Sequence, residues 1–414
     1  MTSLRFATAA RAAAKSKYAF AALAALLGAA EAGPALAEDV KVAVISGISG
    51  PIAALAPPII DASRLAIAQV NDQGGILGGR KLMAVVGDSS CSPQGGTDAA
   101  TKAVNVEGVV AIVGPGCSGA TLAAANSVAI PAGVVLVSPT ATSPEVTRLE
   151  DKDLVFRTAP SDSYQGQALA RSLLARGVKK VAVAYINNDY GKGFAEAFRA
   201  EYENKGGIVA GYAAHEEGKA SYRAELASLA ESKADTLVLL DYGDGTGLTI
   251  LRQALENGFF EKFVGGDGMK SESLIEALGA ENLEGFMASA PMGAESEALR
   301  RFEEAFRAAD GDPSAVFTSS AYDAAFLVAL AIEKAGSTER GKISKALREV
   351  ATAPGEVILP GEWEKARKLI AEGRDINYQG AAGEHEFDGN GDVPGAYGLF
   401  GVEGKSLKMV SAIN

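Results

Sequence analysis

The sequence has few of the residues from which catalytic and metal centres are built. Its 414 residues include two cysteines, two histidines and one tryptophan. These cannot supply a zinc site made of three histidines or four cysteines. Aromatic residues make up 7% of the chain and are not clustered, so no stacking platform for nucleic-acid bases is indicated. We therefore expect no metal and no cofactor.

Basic residues are also scarce. The chain has 39 Lys and Arg against 51 Asp and Glu, a net charge of −12. This balance argues against nucleic acid and against anionic membrane surfaces as partners, because both attract an excess of Lys and Arg. With 48% apolar and 22% charged residues the composition is that of a globular protein. The length allows roughly two to three domains.

The N-terminus has the pattern of a cleaved export signal. Basic residues between Arg5 and Lys17 precede an apolar stretch, Tyr18–Ala30, and the small-x-small site Ala35-Leu36-Ala37. The alternative is a membrane anchor, but the stretch is too short to cross about 30 Å of hydrocarbon. We predict cleavage after Ala37 and a soluble periplasmic product. Removing residues 1–37, with four basic residues and Glu31, makes the net charge −15 instead of −12.

Export determines how the two cysteines are interpreted. Cys91 and Cys117 lie 26 positions apart. Outside the cytosol such a pair is expected to form a disulfide. Two free buried thiols or one reactive thiol are the alternatives.

The rest of the chain alternates short apolar strand patterns with helical ones. Such strands, rich in β-branched residues and separated by helices, indicate parallel sheets covered on both faces, a doubly wound α/β fold. The alternation is too long for one open sheet, so two such domains are predicted. The strand patterns are Val40–Ser46, Leu82–Gly87, Val109–Val113, Val134–Val137, Val181–Ile186, Ile208–Tyr212, Thr236–Leu240, Phe263–Gly265 and Phe286–Ala290.

The Gly-rich segment Gly114–Gly119 has the spacing of a dinucleotide fingerprint and lies between a strand and a helix. No acidic residue follows about 20 positions later to bind a ribose, so a nucleotide-dependent oxidoreductase is only a remote alternative. The turn still presents backbone N–H groups at a helix start, which suits any anion, including a carboxylate. By spacing alone Ser118 has a second interpretation, as an N-cap.

Two other patterns fail as catalytic or metal sites. Asp388–Asp392 begins like a calcium loop but has Leu399 where a bidentate Glu is needed, so we interpret it as a turn. His215 and His385 lie in Glu-rich stretches that we expect to be exposed. No catalytic residue is assigned, and we predict a protein that is not an enzyme.

Several segments together resemble one family, the periplasmic branched-chain amino-acid-binding proteins of ABC importers. The resemblance covers residues 38–414 in the expected order. The segments that carry it are VAVISGISGPIAALA, DASRLAIAQVNDQGGILGG, DSSCSPQGGTDAA, GPGCSGAT, SPTATSPEVT, NNDYGKGF, LRQALENGF, FVGGDGM, SAYDAAFLVALAI and INYQGAAGEHEFDGNGDV.

The resemblance implies a type I periplasmic binding protein, with two Rossmann-like lobes joined by three crossover segments and the ligand in the cleft between them. Lobe one would comprise residues 38–157 and 288–385, and lobe two residues 158–287 and 386–414. The crossings would lie near Phe156–Pro160, Glu284–Pro291 and Gly383–Phe387. The cysteines of the first lobe would be bridged.

The resemblance also implies a ligand site. Ser118, with backbone N–H groups, would hold the ligand carboxylate, and Ala141 and Thr142 would hold the carboxylate and ammonium groups from the same lobe. Tyr190 would close over the ligand from the second lobe. Asp267 would pair with the α-ammonium group.

Two departures from the family pattern reshape the side-chain pocket. Leu55 stands where the family has an aromatic residue, and Gly243 and Asp244 stand where it has a tyrosine pair. Tyr242 is a candidate to replace that pair, and Asp244 would favour a polar or basic ligand end.

These observations predict a monomeric receptor that captures an amino acid, branched-chain or related, and delivers it to the permease subunits of an ABC importer in the inner membrane. A receptor for an amide, urea or carboxylic acid, or a sensor input module, is the alternative.

Overall fold

The computed structural model describes residues 38–414, so the predicted signal lies outside the described residues. The α/β prediction is confirmed: two mainly parallel sheets are flanked by helices. None of the helices described is long and apolar enough to span a bilayer.

The smaller sheet is built from the first part of the chain. Its five strands are all parallel, in the order β2-β1-β3-β4-β5. Strand β1, which pairs with β2 and β3, is buried at all positions but Lys41, as expected for a strand covered on both faces. The strands are β1 Val40–Ser46, β2 Leu82–Asp88, β3 Ala111–Val113, β4 Val135–Ser138 and β5 Val155–Arg157.

Helices connect these strands. Lys102–Val106 continues α2, and Ala125–Ala129 and Ile130–Ala132 continue α3. The helices are α1 Ala56–Asp72, α2 Pro93–Thr101, α3 Ser118–Ala124 and α4 Pro144–Thr147.

The larger sheet has seven strands, in the order β14-β13-β10-β9-β8-β6-β7. Strands β6 to β10 run parallel, whereas β13 and β14 are antiparallel additions at one edge. The strands are β6 Lys180–Ile186, β7 Ile208–His215, β8 Thr236–Leu240, β9 Lys262–Gly265, β10 Met287–Met292, β13 Ala396–Glu403 and β14 Ser406–Ile413. The helices between β5 and β10 are α5 Asp162–Ala175, α6 Asp189–Asn204, α7 Arg223–Ala230, α8 Thr246–Asn257 and α9 Ser273–Leu278.

The segment after β10 returns to the smaller sheet. Its longest helix, α11, is buried along most of its length and shares one core with Val42 and Val44 of β1 and with Trp363. A two-stranded sheet, β11-β12, lies in the same region. The elements are α10 Glu297–Ala308, α11 Thr318–Ala335, α12 Arg340–Ala351, β11 Glu356–Ile358, α13 Trp363–Ala371 and β12 Ile376–Tyr378.

The chain therefore passes three times between the two sheets, and two of the passages come later than the predicted boundaries. Strand β10 pairs with β13 as far as Met292, so residues 288–292 extend the larger sheet. Phe387 and Val393 still pack in the core of the smaller sheet, and the larger sheet resumes only at Ala396. The cause is pairing: β10 keeps its hydrogen bonds to β13 beyond the predicted crossing.

A buried arginine joins the first passage to the third. Arg157, at the end of β5, is fully buried and makes a two-pronged ion pair with Asp392, at 2.6 and 2.7 Å. Its guanidinium also donates to the carbonyl of Ser143 at 2.9 Å. The ion pair and the hydrogen bonds together offset the cost of burying the charge of Arg157. The turn Asp388–Asp392, predicted from the sequence, supplies the partner carboxylate.

The predicted disulfide is present. Cys91 follows β2 and Cys117 precedes α3, with their Cα atoms 5.2 Å apart. The bridge anchors the start of α3 to the loop beside it.

Candidate functional site

A cavity lies where the carboxyl ends of strands from both sheets face each other, the usual ligand position in open α/β folds. From the region of the smaller sheet it is lined by Ile52, Leu55, Ile59, Gly116, Cys117, Ser118, Thr140, Thr142 and Phe317. From the larger sheet it is lined by Tyr190, Tyr242, Asp267 and Gly268.

Six of the seven predicted site residues lie around this cavity: Leu55, Ser118, Thr142, Tyr190, Tyr242 and Asp267. Ala141 does not line it. The Ala141 N–H donates to the Ser138 hydroxyl at 3.1 Å, and its carbonyl accepts from Arg157. Thr140, one position earlier, faces the cavity instead.

The smaller sheet contributes hydrogen-bond donors. Ser118 is the first residue of α3, so backbone N–H groups there have no preceding turn to accept them. The hydroxyl of Ser118 accepts from the Ser143 N–H at 3.2 Å, and Cys117 occupies the N-cap position, so the capping interpretation of Ser118 is wrong. Together with the Thr142 hydroxyl, which is buried and bonded to no described protein atom, this wall suits an anion.

The larger sheet contributes a carboxylate. Asp267 follows β9 and is 3% exposed. Its Oδ1 accepts from the Tyr190 hydroxyl at 3.2 Å and from Gln165 Nε2 at 3.1 Å. Burial raises the pKa of Asp267 to about 6, although these hydrogen bonds oppose the shift. A cation bound beside Asp267 would stabilise its ionised carboxylate, which burial otherwise disfavours.

A second carboxylate, Asp162, adjoins the site and was missed by sequence reasoning. It is fully buried at the start of α5, and its N–H donates to the Thr142 carbonyl at 2.8 Å. No hydrogen bond of normal geometry reaches either of its carboxylate oxygens from the described residues, although the Thr142 hydroxyl lies near enough to favour the ionised form. Burial first, then repulsion by Asp267, raises the pKa of Asp162 well above its usual range. An acid in the first turn of a helix is so common that its position gave no signal.

Aromatic rings cover the cavity. Tyr190 and Tyr242 stack with their centroids 5.2 Å apart, and both rings line the cavity. Gly268 permits this approach, because a Cβ there would lie 2.5 Å from the Asp241 carbonyl oxygen and 3.1 Å from the Tyr190 hydroxyl.

A further aromatic, Phe317, enters from the region of the smaller sheet and was also missed. It immediately precedes α11 and has a left-handed backbone, φ 66°. Only that backbone turn brings the ring to the cavity, and nothing in the sequence pattern predicts it.

Asp244 does not shape the pocket, contrary to the expectation from the sequence. Its Oδ1 accepts from the hydroxyls of Ser271 and Ser273 in the same lobe, and it is absent from the cavity wall.

The two walls also contact each other at the rim of the cavity. The Ser143 hydroxyl donates to the Asp189 carbonyl at 2.9 Å. A Cβ on Gly193 would lie 2.6 Å from Cδ of Pro144, so α6 and α4 touch directly. We call this contact, formed by Ser143, Pro144, Asp189 and Gly193, the rim contact.

Both histidines are buried, so the expectation that they are exposed was wrong. His215 pairs with Asp241 at 2.7 Å and His385 with Asp323 at 2.9 Å, and neither lines the cavity. Their carboxylate partners offset the cost of burying the rings. No group of three or more potential metal ligands occurs in the part of the chain that the structure describes. The cavity combines anion donors, a carboxylate and apolar rings, which suits binding of a small zwitterion.

Comparison with known proteins gives consistent matches. A family model described as periplasmic binding protein matches residues 39–376. The leucine-, isoleucine-, valine-, threonine- and alanine-binding protein of Pseudomonas aeruginosa is 32% identical over 314 residues, 75% of this chain and 83% of that protein.

Solved structures show the same architecture. A leucine-binding protein from Thermotoga maritima aligns with a TM-score of 0.77 and 26% identity, covering 91% of this chain and 99% of the other. A branched-chain amino acid transporter substrate-binding protein from Streptococcus pneumoniae, solved with isoleucine, aligns with a TM-score of 0.76 and 25% identity, over 91% and 99% of the two chains.

Proposed function

Because the chain belongs to the periplasmic binding protein family, we propose that it is the amino-acid receptor of an ABC importer. It captures its ligand between two lobes in the periplasm and presents it to the permease subunits in the inner membrane. We further propose that the chain acts as a monomer. Binding, closure and release require no bond chemistry.

The class of ligand is inferred from the two opposite walls of the cavity. The cavity holds anion donors at Ser118 on one wall and the Asp267 carboxylate on the other. An α-amino acid has a carboxylate and an ammonium group on one carbon, so it can satisfy both walls at once. Only the closed arrangement makes both sets of contacts, and the ligand therefore stabilises that arrangement.

The remaining wall favours an apolar side chain. Ile52, Leu55, Ile59 and Phe317 contribute hydrocarbon surface, and Tyr242 an aromatic face. Burying a leucine-sized side chain there is worth about 1.5–3 kcal/mol. The Pseudomonas aeruginosa relative is named for leucine, isoleucine, valine, threonine and alanine, and the Streptococcus pneumoniae protein was solved with isoleucine, which agrees with this wall.

The lobes we propose follow the sheets. Lobe one is the smaller sheet with the helices of residues 297–378, and lobe two is the larger sheet with α5 to α9.

Export depends on residues 1–37, and N-terminal sequencing of the mature protein checks cleavage after Ala37.

The test is a ligand screen of the purified mature protein. Thermal shift and calorimetry are measured with the twenty amino acids, urea and benzoate. We expect leucine, isoleucine or valine to stabilise the fold by about 4 kcal/mol at a concentration 1,000 times the dissociation constant. Urea and benzoate, which have no ammonium group, should have no comparable effect. Stabilisation by none of the amino acids would refute the proposal.

A further inference from the structure

The starting observation is the position of Asp162 between two walls of the cavity. Its N–H holds the Thr142 carbonyl at 2.8 Å. One turn later on the same helix, Gln165 donates through Nε2 to Asp267 Oδ1 at 3.1 Å and to the Ser289 carbonyl at 3.1 Å. The start of α5 thus connects Thr142, from the anion-binding wall, to Asp267, from the opposite wall.

Several buried hydrogen-bond acceptors lie close together at the start of α5. Within residues 38–414, no hydrogen bond of normal geometry reaches Oε1 of Gln165 or either oxygen of Asp162, which has only the Thr142 hydroxyl nearby. Buried oxygens without donors are costly, because the water they bound in the unfolded chain is not replaced. A proton on one carboxylate converts an acceptor into a donor and removes part of this cost.

The charges around Asp162 and Asp267 also favour a proton on one of the two carboxylates. The cation that acts on Asp162 is Arg157, but its guanidinium is already neutralised by the ion pair with Asp392. The ionisable groups from the other packed elements are tyrosines: Tyr190 of α6, Tyr242 after β8 and Tyr397 of β13. Burial, together with these carboxylates, raises the pKa of Tyr190 and Tyr397. In Tyr242, too, burial is the main cause that raises the pKa, so all three phenols stay neutral. Two buried carboxylates that share no free cation cannot both ionise cheaply.

We propose that Asp162 and Asp267 share one proton in the unliganded site and that the ammonium group of the ligand displaces it. The pair gives its proton to solvent, and the ligand keeps all of its own. Asp162 then acts as a positioning residue: ionised, it accepts from the Thr142 hydroxyl, whose lone pairs face the ammonium. The proposal rests on the amino-acid function above and assigns Asp162 a role within it.

The sign of the pH dependence follows from proton counting. The unliganded pair binds one more proton than the liganded pair, so a proton and the ammonium group compete for the site. Ligand affinity therefore rises with pH, by at most about tenfold per pH unit. Burial raises the pKa of Asp267 to about 6, which places this rise around pH 6, and burial also raises the pKa of Asp162.

The experiment is calorimetry of leucine binding to the mature protein between about pH 5.5 and 7.5. Binding heats are measured at about pH 6 in phosphate and in imidazole, whose ionisation heats differ. We expect release of about 0.3–1 proton per leucine and an affinity at least about threefold higher at the upper pH.

The variant Asp162→Asn mimics the protonated acid permanently. It should bind leucine with an affinity nearly independent of pH, equal to the wild-type affinity at about pH 5.5 and below it at about pH 7.5. Asp244→Asn, a matched change outside the cavity, should keep the wild-type slope. A merely structural role for Asp162 would weaken binding equally at every pH.

The outcomes separate the two proposals. If leucine binds with no proton release and a flat pH profile, the shared proton is refuted and the receptor function stands. The same holds if Asp162→Asn retains the wild-type slope. If no amino acid binds at any pH, the receptor function itself fails. The wild-type measurements suffice even if Asp162→Asn does not fold.

Discussion

In the proposed site, Asp267 is the carboxylate that would pair directly with an amine. Tyr190 and Gln165 hold its Oδ1 in place, and burial keeps water from screening it. In such surroundings a charge-assisted hydrogen bond is stronger than at the surface, and a ligand without an ammonium group leaves the carboxylate without a partner.

Replacing Asp267 by Asn should therefore weaken leucine binding by at least about tenfold, because the amide keeps the shape but loses the charge. Calorimetry at neutral pH measures the change. Binding of 4-methylpentanoate, which has the same side chain and no amine, should not weaken. Asp244→Asn is the control, and we expect it to bind as the wild type does. Unchanged leucine affinity in Asp267→Asn would contradict the assigned role.

At this scale the sequence predicted the site unevenly. Ser118, Tyr190 and Asp267 could be placed because each follows a strand in a recognisable family segment. Phe317 could not, because its position depends on a left-handed backbone before α11. Asp162 could not either, because only the tertiary fold brings the first turn of α5 against Asp267. Ala141 was assigned in place of Thr140, a one-residue error within a short loop that has no periodic pattern.

At the scale of elements, the disulfide matters because of what it anchors. Cys117 directly precedes α3, and Cys91 lies in the loop before α2. The start of α3 carries the N–H groups that face the ligand, so the bridge restrains the anion-binding wall as well as the unfolded chain.

Removing the bridge in Cys91→Ala/Cys117→Ala should lower the free energy of unfolding by about 3.5 kcal/mol, the chain-entropy value for a loop of this length. Urea denaturation monitored by circular dichroism measures it. Cys91→Ala alone, which leaves the cavity residue Cys117 in place, should lose nearly as much. If the double variant and the wild type unfold at the same urea concentration, the bridge does not form in the exported protein.

Elements with clear periodicity were predictable, and the others were not. The apolar parallel strands were found within a few residues of their bounds, because burial on both faces leaves a continuous apolar run. Strands β5, β11 and β12 were missed because each has only three residues and, unlike β3, none lies within a longer apolar run. The passages between the sheets were predicted too early, since pairing of β10 with β13 is a tertiary contact that leaves no local pattern.

For the whole molecule, closure is the movement that matters, and the rim contact shows what it requires. Pro144 in α4 and Gly193 in α6 come from opposite lobes and touch with no room for a side chain between them. A rigid proline ring cannot move aside as a flexible side chain can.

Gly193→Ala should therefore hinder closure and weaken leucine binding by about tenfold, a cost of about 1.4 kcal/mol. The unliganded protein should be as stable as the wild type or slightly more, because alanine is the better helix former. Calorimetry gives the affinity, and small-angle X-ray scattering gives the compaction on adding leucine.

The control is Gly341→Ala in α12, where a Cβ meets no atom within 4 Å. It makes the same helical substitution away from the rim contact and should bind and compact normally. If Gly193→Ala binds and compacts equally well, closure does not require the rim contact.

The antiparallel edge of the larger sheet has a consequence for the order of folding. Strand β10 pairs with β13 only after the chain has built α10 to α13 on the other lobe. All strands of the smaller sheet, by contrast, lie within residues 40–157. Contacts of such high sequence separation form late and slowly. A nascent chain would complete lobe two only when residues 396–413 arrive, so the larger sheet lacks its antiparallel edge until synthesis is nearly finished.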